Sequence, residues 1–450
     1  MKWYKILWFL GCGVLMSVAL EADEGVLDTT FNAPDGYVLW DGGSGYDRAR
    51  DIALQADGKI VVTGYKTNGV DNDLFALRYD LNGNLDTSFG VEGVYIYDGG
   101  MGDDTGMAIA IQSDGKMIAA GTVSHGTDSD VLVIRLDVNG IPDTDFGSDG
   151  MFIYSGGNGS DGAVDLQIQG DDSIVIAGYR HNGTDSDMLV IRLTKEGLLD
   201  TTFNTVGSVA LDGGMGHDHG LRLALQLDQN IVVTGGSNNG SDYDILVARL
   251  DAFGLLDQTF GNNGMVRLDG GDYDRGYGLD LDSLGRILVT GIRAQPDKEL
   301  TDYDIPVFRL DPNGILDTSF GDNGMALYDG GSREECYDLV VQKDDSILMA
   351  GHSGHSDMGT SDWDLVVLKY DPNGLLDTTF GVEGVYSYDP TANTEWGYGL
   401  ALQTDGKIVI AGQAYNGTDD DVIVLRLENS LGDVNEPNPP GSGDDIFTDL

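Results

Sequence analysis

Apolar and polar positions alternate along this chain in short bursts, and the bursts come in a fixed order. In residues 104–112 (DTGMAIAIQ) small and apolar residues alternate. Residues 117–122 (MIAAGT) and 131–136 (VLVIRL) are almost continuously apolar, and 151–154 (MFIY) completes the set. Between them lie Ser113-Asp114-Gly115-Lys116, a polar loop from Ser124 to Ser129, and a turn around Asn139-Gly140. Each burst has the length of a strand, and each junction carries the Gly, Asn or Asp that tight turns require. The pattern predicts a meander of four antiparallel strands. Its second and third members should be buried on both faces, as when one sheet is sandwiched between two others.

The unit recurs seven times. Its anchor is an Asp preceded by Leu or Pro, with Phe three residues beyond: Asp28, Asp86, Asp143, Asp200, Asp257, Asp317 and Asp377. The steps between these residues are 58, 57, 57, 57, 60 and 60. A period this long and regular marks a solenoid, propeller or array. A single four-stranded unit cannot bury its own faces, so the repeat predicts an all-β fold, a seven-bladed β-propeller. The phase of the chain indicates how the ring closes. The first copy supplies a fourth-type strand, Tyr37 to Asp41, before any first-type strand. The last copy stops at its third strand, Val422 to Leu427. These segments are expected to pair and complete the final blade.

Composition adds a strong charge: 75 acidic residues against 25 basic, a formal net charge of −50. Such a surface repels nucleic acid and anionic lipid headgroups and attracts cations. Adaptation to salty surroundings, where screening weakens self-repulsion, also accounts for the excess. At the N-terminus, Lys2 and Lys5 precede the apolar run from Ile6 to Met16, and Ser17, Ala19 and Ala22 offer small residues for cleavage. Residues 1–22 therefore read as an export signal, too short for a membrane span, which implies a periplasmic, cell-surface or extracellular protein. Cys12 sits in a degenerate lipobox, although an ordinary signal core explains it as well. Cys336 is the only other cysteine, so the mature chain has no internal disulfide available. Residues 23–428 form the propeller, expected to be a monomer. Residues 429–450, rich in Pro, Gly and acid, read as a disordered tail.

The stretches LDTSFGVEGVYIY (85–97), ALQADGKIVVTGY (53–65) and DLFALRYDLNG (73–83) resemble the delta-60 repeat family of bacterial β-propellers. The resemblance extends over residues 27–428 and implies an exported propeller. That family carries no established activity or catalytic residues, so it lends no site assignment. The loops here are far more acidic than the family pattern demands.

Three sets of polar residues recur in every copy. The first is a basic residue near the end of the third strand: Arg78, Arg135, Arg192, Arg249, Arg309, Lys369 and Arg426. Among apolar neighbours an unpaired charge is costly, so each is expected to pair with an anchor Asp. The anchor Phe residues should plug the gaps between blades. The second set is an Asp-x-Asp pair before the third strand: Asp71/Asp73, Asp128/Asp130, Asp185/Asp187, Asp242/Asp244, Asp302/Asp304, Asp362/Asp364 and Asp419/Asp421. The third is an acid opening the first strand: Asp47, Asp104, Asp161, Asp218, Asp274, Glu334 and Glu395. In an up-and-down blade these last two sets emerge on one face, with the third set expected nearest the axis. Clustered carboxylates beside Gly- and Asn-rich backbone suit calcium, and they serve equally as turn-forming residues.

Departures from the repeat are where a unique site would lie. The loops at 293–300 and 352–359 are enlarged, and His217/His219 and His352/His355 fall on the acidic face. A transition metal or plain solvated histidines are both readings of these pairs. Aromatic residues Tyr46, Tyr243, Tyr273, Tyr303, Trp363 and Trp396 are expected exposed on that face, where they could stack on sugars or cover blade edges. Catalysis needs a singular constellation, whereas the polar residues here are near-equivalents repeated seven times. The expected function is an exported, non-catalytic scaffold that contacts protein or glycan through its acidic loops, with calcium as a candidate cofactor. The alternative is an enzyme at the central channel, such as a lactonase, lyase or quinoprotein-like oxidoreductase, marked by acids or histidines that break the pattern. Glu334, Glu395, His217 and His219 are the first residues to consider. A third reading is a secreted surface protein that only buffers cations.

Overall fold

The computed structural model describes residues 24–429 except 44, 101, 158, 215, 272, 295–302, 355–361 and 391–392. The expected export signal with Cys12, the tail beyond Asn429, Asp302, His355 and most of the enlarged loops lie outside the described residues. The described residues form seven antiparallel sheets. Among them no helix is long and apolar enough to cross a membrane.

The repeat read above becomes strands Thr105–Ile111, Met117–Ser124, Ser129–Leu136 and Met151–Tyr154. The middle strands run further into the polar loop than their apolar cores do. Backbone pairing continues to Ser124↔Ser129, because ladder hydrogen bonds do not depend on side-chain polarity. Neighbouring blades cover the apolar faces, and all seven anchor Phe residues are fully buried between them. Phe89, for example, packs with Leu74 of its own blade and Ile109 of the next.

The ring is closed. Tyr37–Trp40 pairs antiparallel with Val422–Leu425 of the last third strand, so the two chain ends share one blade. Val26–Leu27 adds a short fifth strand on Leu427 and Glu428, which the apolar pattern does not reveal. The first strand of the last blade, Glu395–Leu402, packs on that of the first, Asp47–Leu54.

Every first strand carries a one-residue bulge, for instance between Ala49 and Asp51 and between Cys336 and Asp338. The others fall at Gly106/Ala108, Ala163/Asp165, Gly220/Arg222, Gly276/Gly278 and Gly397/Gly399. A bulge re-aims consecutive side chains. Here it turns two residues per blade, such as Arg50 and Asp51, toward the axis.

The recurring basic residues act as latches. Arg78, Arg135 and Arg309 each place Nε 2.9 Å from the anchor Asp of their repeat, and Arg192 does so at 2.7 Å. Arg249 reaches Asp257 through Nη2 at 2.7 Å. Nη1 donates to a backbone carbonyl of the next blade, as from Arg78 to Val138 at 2.6 Å and from Arg192 to Ala252 at 2.7 Å. Each guanidinium also lies over its anchor Phe, at 4.8 Å for Arg78 and Phe89. At the seam, Arg426 pairs with Asp28 at 2.7 Å and donates to Leu81 of the first blade at 2.8 Å. Lys369 departs from the pattern, lying 3.6 Å from Asp377 but 2.5 Å from Glu24.

Candidate functional site

The acids that open the first strands are almost fully buried, and they organise turns. Asp47, Asp218 and Asp274 accept from the backbone N–H of Gly42 (2.6 Å), Gly213 (2.6 Å) and Gly270 (2.5 Å). Asp104 and Asp161 accept from Gly99 and Gly156 in the same way, and Glu334 accepts from Gly330 at 3.1 Å. Glu395 is buried at the equivalent position.

The Asp-x-Asp pairs divide. The first members Asp71, Asp185, Asp242 and Asp419 accept from the side-chain amides of Asn68, Asn182, Asn239 and Asn416, closing their own loops. Asp71 and Asp419 also accept from Gly102 and Gly45 of the next blade, at 3.0 and 2.9 Å. The half-buried Asp128 accepts locally, from the Thr127 hydroxyl. Among the second members, Asp73 accepts from Asn68 at 3.0 Å, and Asp130 lies 3.2 Å from His125 Nε2.

Asp187, Asp244, Asp304 and Asp421 join the first-strand acid of the following blade and a third carboxylate from the turn between them. The resulting triads are Asp41/Asp47/Asp421, Asp187/Asp212/Asp218, Asp244/Asp269/Asp274 and Asp304/Asp329/Glu334; Asp362, Asp364 and Asp389 form a related cluster. In each, three carboxylate oxygens lie within 4.8 Å of one another. Sequence reasoning missed the third member. Its signal was present in the recurring Asp-Gly-Gly of 41–43, 98–100, 212–214, 269–271 and 329–331, which reads as turn chemistry alone.

Burial pushes the carboxyls of Asp47 and Asp274 up to about 6 and that of Glu334 up to about 7, and neighbouring carboxylates add to the rise. One buried oxygen of Asp47 and one of Asp274 has no hydrogen-bond partner among the described residues. Such a cluster can hold protons or a hard cation, and its all-oxygen donor set is of the kind calcium takes. In one triad a guanidinium already serves, with Arg267 Nη1 2.9 Å from Asp244. The triad of Asp41, Asp47 and Asp421 spans the seam, because Asp41 follows the N-terminal strand and Asp421 belongs to the last.

His217 Nδ1 accepts from Ser186 N at 3.1 Å, and its ring lies 6.3 Å from that of His219. Burial and Arg275 push His219 down to about 4. His352 is buried and stacks on Trp396 at 4.7 Å. Of the six aromatics expected exposed, only Tyr46 is, at 56 %. The others are half-buried and form an arc, with Tyr243, Tyr273 and Tyr303 in sequence at 5.4 and 6.0 Å.

The sevenfold pattern breaks on the axis. A cavity of about 350 Å³ is lined by Asp51, Asp165, Asp280, Asp338 and Arg222 together with apolar first-strand residues. The seven first-strand acids expected nearest the axis do not line it, because the bulge directs residues beyond it inward instead, four positions after the acid at Asp51, Asp165, Arg222 and Asp338 and six at Asp280. Asp51 accepts from Ile52 N (2.8 Å) and from Ile109 N of the next blade (2.7 Å), so it ties two bulges together. Asp165 and Asp338 repeat this with Leu223 and Leu400, at 2.7 and 2.8 Å. Arg222 Nε stands 3.9 Å from Asp338. Burial raises Asp51 and Asp280 to about 7 and Asp165 to about 6, against the opposing charge of Arg222 on Asp51 and Asp165.

The fold and its inter-blade acids define a closed, seven-bladed β-propeller with a carboxylate-rich loop face. Four stretches, residues 55–89, 112–146, 169–203 and 403–430, match the family described as "Domain of unknown function (DUF5122) beta-propeller". No curated protein matches the chain. Similar solved structures include Sqt1 from Chaetomium thermophilum, at 12% identity over 88% of this chain and 98% of that one, with a TM-score of 0.46. The polysaccharide lyase Uly1 is 11% identical over 87% and 92%, with a TM-score of 0.49. A gluconolactonase from Xanthomonas campestris is 12% identical over 87% and 89%, with a TM-score of 0.37.

Proposed function

We propose that this chain is an exported binding propeller of the delta-60 repeat kind, contacting protein or glycan through its acidic loop face with calcium held between blades. The recurrence of carboxylate triads at blade junctions carries this reading. Repeated, near-equivalent sites suit a scaffold, whereas catalysis needs different roles in one place. Calcium at these junctions would offset the repulsion among buried acids and bind only the folded ring, so it would stabilise by mass action. Millimolar calcium is expected to raise the melting temperature of the mature chain by several degrees relative to chelator. Asp41→Asn combined with Asp421→Asn should remove part of that rise. Coincident melting curves in calcium and chelator would eliminate the calcium component.

One observation favours the alternative, an enzyme at the channel: the pattern breaks on the axis, and Asp51 and Asp280 sit where a general acid or base titrates. Yet both oxygens of each accept backbone N–H groups. Those bonds give the two acids a structural task, and the binding reading therefore stands first.

A further inference from the structure

Above the aspartate-lined cavity lies a second, smaller axial chamber of about 140 Å³. The bulge residue of each first strand lines it, and Arg222 lines both chambers. Three consecutive blades contribute tyrosines, Tyr277, Tyr337 and Tyr398, with ring centroids 5.5 and 4.8 Å apart. Arg50 extends the arc, its guanidinium 4.3 Å above Tyr398. Beside the other end, Arg275 lies 4.3 Å over Tyr243 and 5.1 Å over Tyr273. The remaining wall is apolar, from Met107, Val164 and Leu221.

One carboxylate reaches this arc, Glu335, which accepts from the Tyr337 hydroxyl at 2.8 Å and from Arg333 Nε at 2.7 Å. In a chain of net charge −50, neither Arg50 nor Arg275 has a carboxylate within ion-pair distance among the described residues. Arg50 donates to the Tyr65 hydroxyl at 3.0 Å, and Nε of both arginines is buried without a hydrogen-bond partner among the described residues. Burial would raise the Tyr65 phenol, but Arg50 and Arg48 hold it below its ordinary value. Both guanidiniums are half-buried, and a partly desolvated cation lacking a counter-charge is costly, so the chamber is complementary to an anion. A guanidinium fork matches a planar carboxylate, and stacked tyrosines offer flat apolar faces with hydroxyl tips.

We propose that this chamber binds a carboxylated sugar, a single uronate residue, with its carboxylate on Arg50 and its ring against Tyr398 and Tyr337. The chamber has room for one ring and not for a chain segment, which selects a free uronate or the end of an acidic glycan. The acidic rim does not forbid entry, since exposed charges are screened beyond about 8 Å at physiological ionic strength. The inference shares the glycan part of the reading above and uses none of its calcium residues. Its failure would leave the calcium melting result untouched, and the converse also holds.

Calorimetric titration of the mature full chain with glucuronate, glucose and benzoate tests it. Glucuronate is expected to bind at least tenfold more tightly than either comparator. Arg50→Gln should weaken glucuronate at least tenfold, and Lys195→Gln, which removes a charge from an exposed turn outside the chamber, should not. Equal or absent binding of glucuronate and glucose to the unsubstituted chain would overturn the proposal without reliance on any variant. Tighter binding of benzoate would overturn the sugar assignment, and an unchanged affinity in a folded Arg50→Gln would overturn the site.

Discussion

Asp28→Ala is expected to destabilise the propeller by about 3–5 kcal/mol, the range for removing one partner from a buried ion pair. Asp28 is 1 % exposed and serves two cations, Arg426 Nε at 2.7 Å and Lys407 Nζ at 2.9 Å. Burial alone would raise its carboxyl; hydrogen bonds from Thr30 and Lys407 and the charge of Arg426 outweigh that and hold it far below the usual range. Its loss strips Arg426 of its carboxylate beside Phe31, which Arg426 covers at 4.7 Å, and leaves Lys407 with Glu428 alone, at 2.7 Å. It also removes a tie between the two chain ends, which no covalent continuity replaces. Asp257→Ala is the internal control: it frees one latch arginine in a continuous repeat, and its carboxylate is more exposed, at 17%. Its expected loss is smaller, about 1–3 kcal/mol. Urea unfolding of both variants measures the difference, and equal losses would show that the seam is an ordinary latch.

Arg222→Met is expected to cost about 3–5 kcal/mol at pH 8 and much less at pH 5. Arg222 is the cation of the axial acids Asp51, Asp165 and Asp338. Their folded values already lie above those of a free carboxyl, so their ionisation opposes folding. That opposition is absent below the unfolded value, grows as pH rises above it, and is complete once pH exceeds the folded values near 6 and 7. Removing the guanidinium raises these values further and enlarges the alkaline loss, whereas at pH 5 the acids are protonated and need no counter-charge. The latch carboxyls have the opposite sign, since their lowered values make stability fall only as pH drops below about 4. A loss from Arg222→Met that is equal at both pH values would contradict the axial network.

The blade count, strand order and seam were legible because they depend on repeated local patterns. Continuous apolar runs such as VLVIRL at 131–136 can be satisfied only between two other sheets. The orphan fourth strand at the N-terminus left one partner, Val422 to Leu427. The bulges were not legible. They follow small residues such as Gly106 and Gly220 in strands whose alternation hides a one-residue shift, and they alone decide whether Asp47 or Asp51 faces the axis. The triads were half legible: two members stand out as repeated acids, while Asp212 and Asp269 read as turn residues. Arg50 and Arg275 carried no signal at all, because what distinguishes them is a missing partner, which only packing reveals.

The closed ring is tested most directly by hydrogen exchange of the Tyr37–Trp40 amides, read by mass spectrometry. The account predicts protection equal to that of fourth strands continuous with their blades, such as Ser208–Leu211 and Met265–Leu268, and lost together with Val422–Leu427 as denaturant rises. Rapid exchange of Tyr37–Trp40 while Val422–Leu427 stays protected would mean that the wheel is open at its last blade.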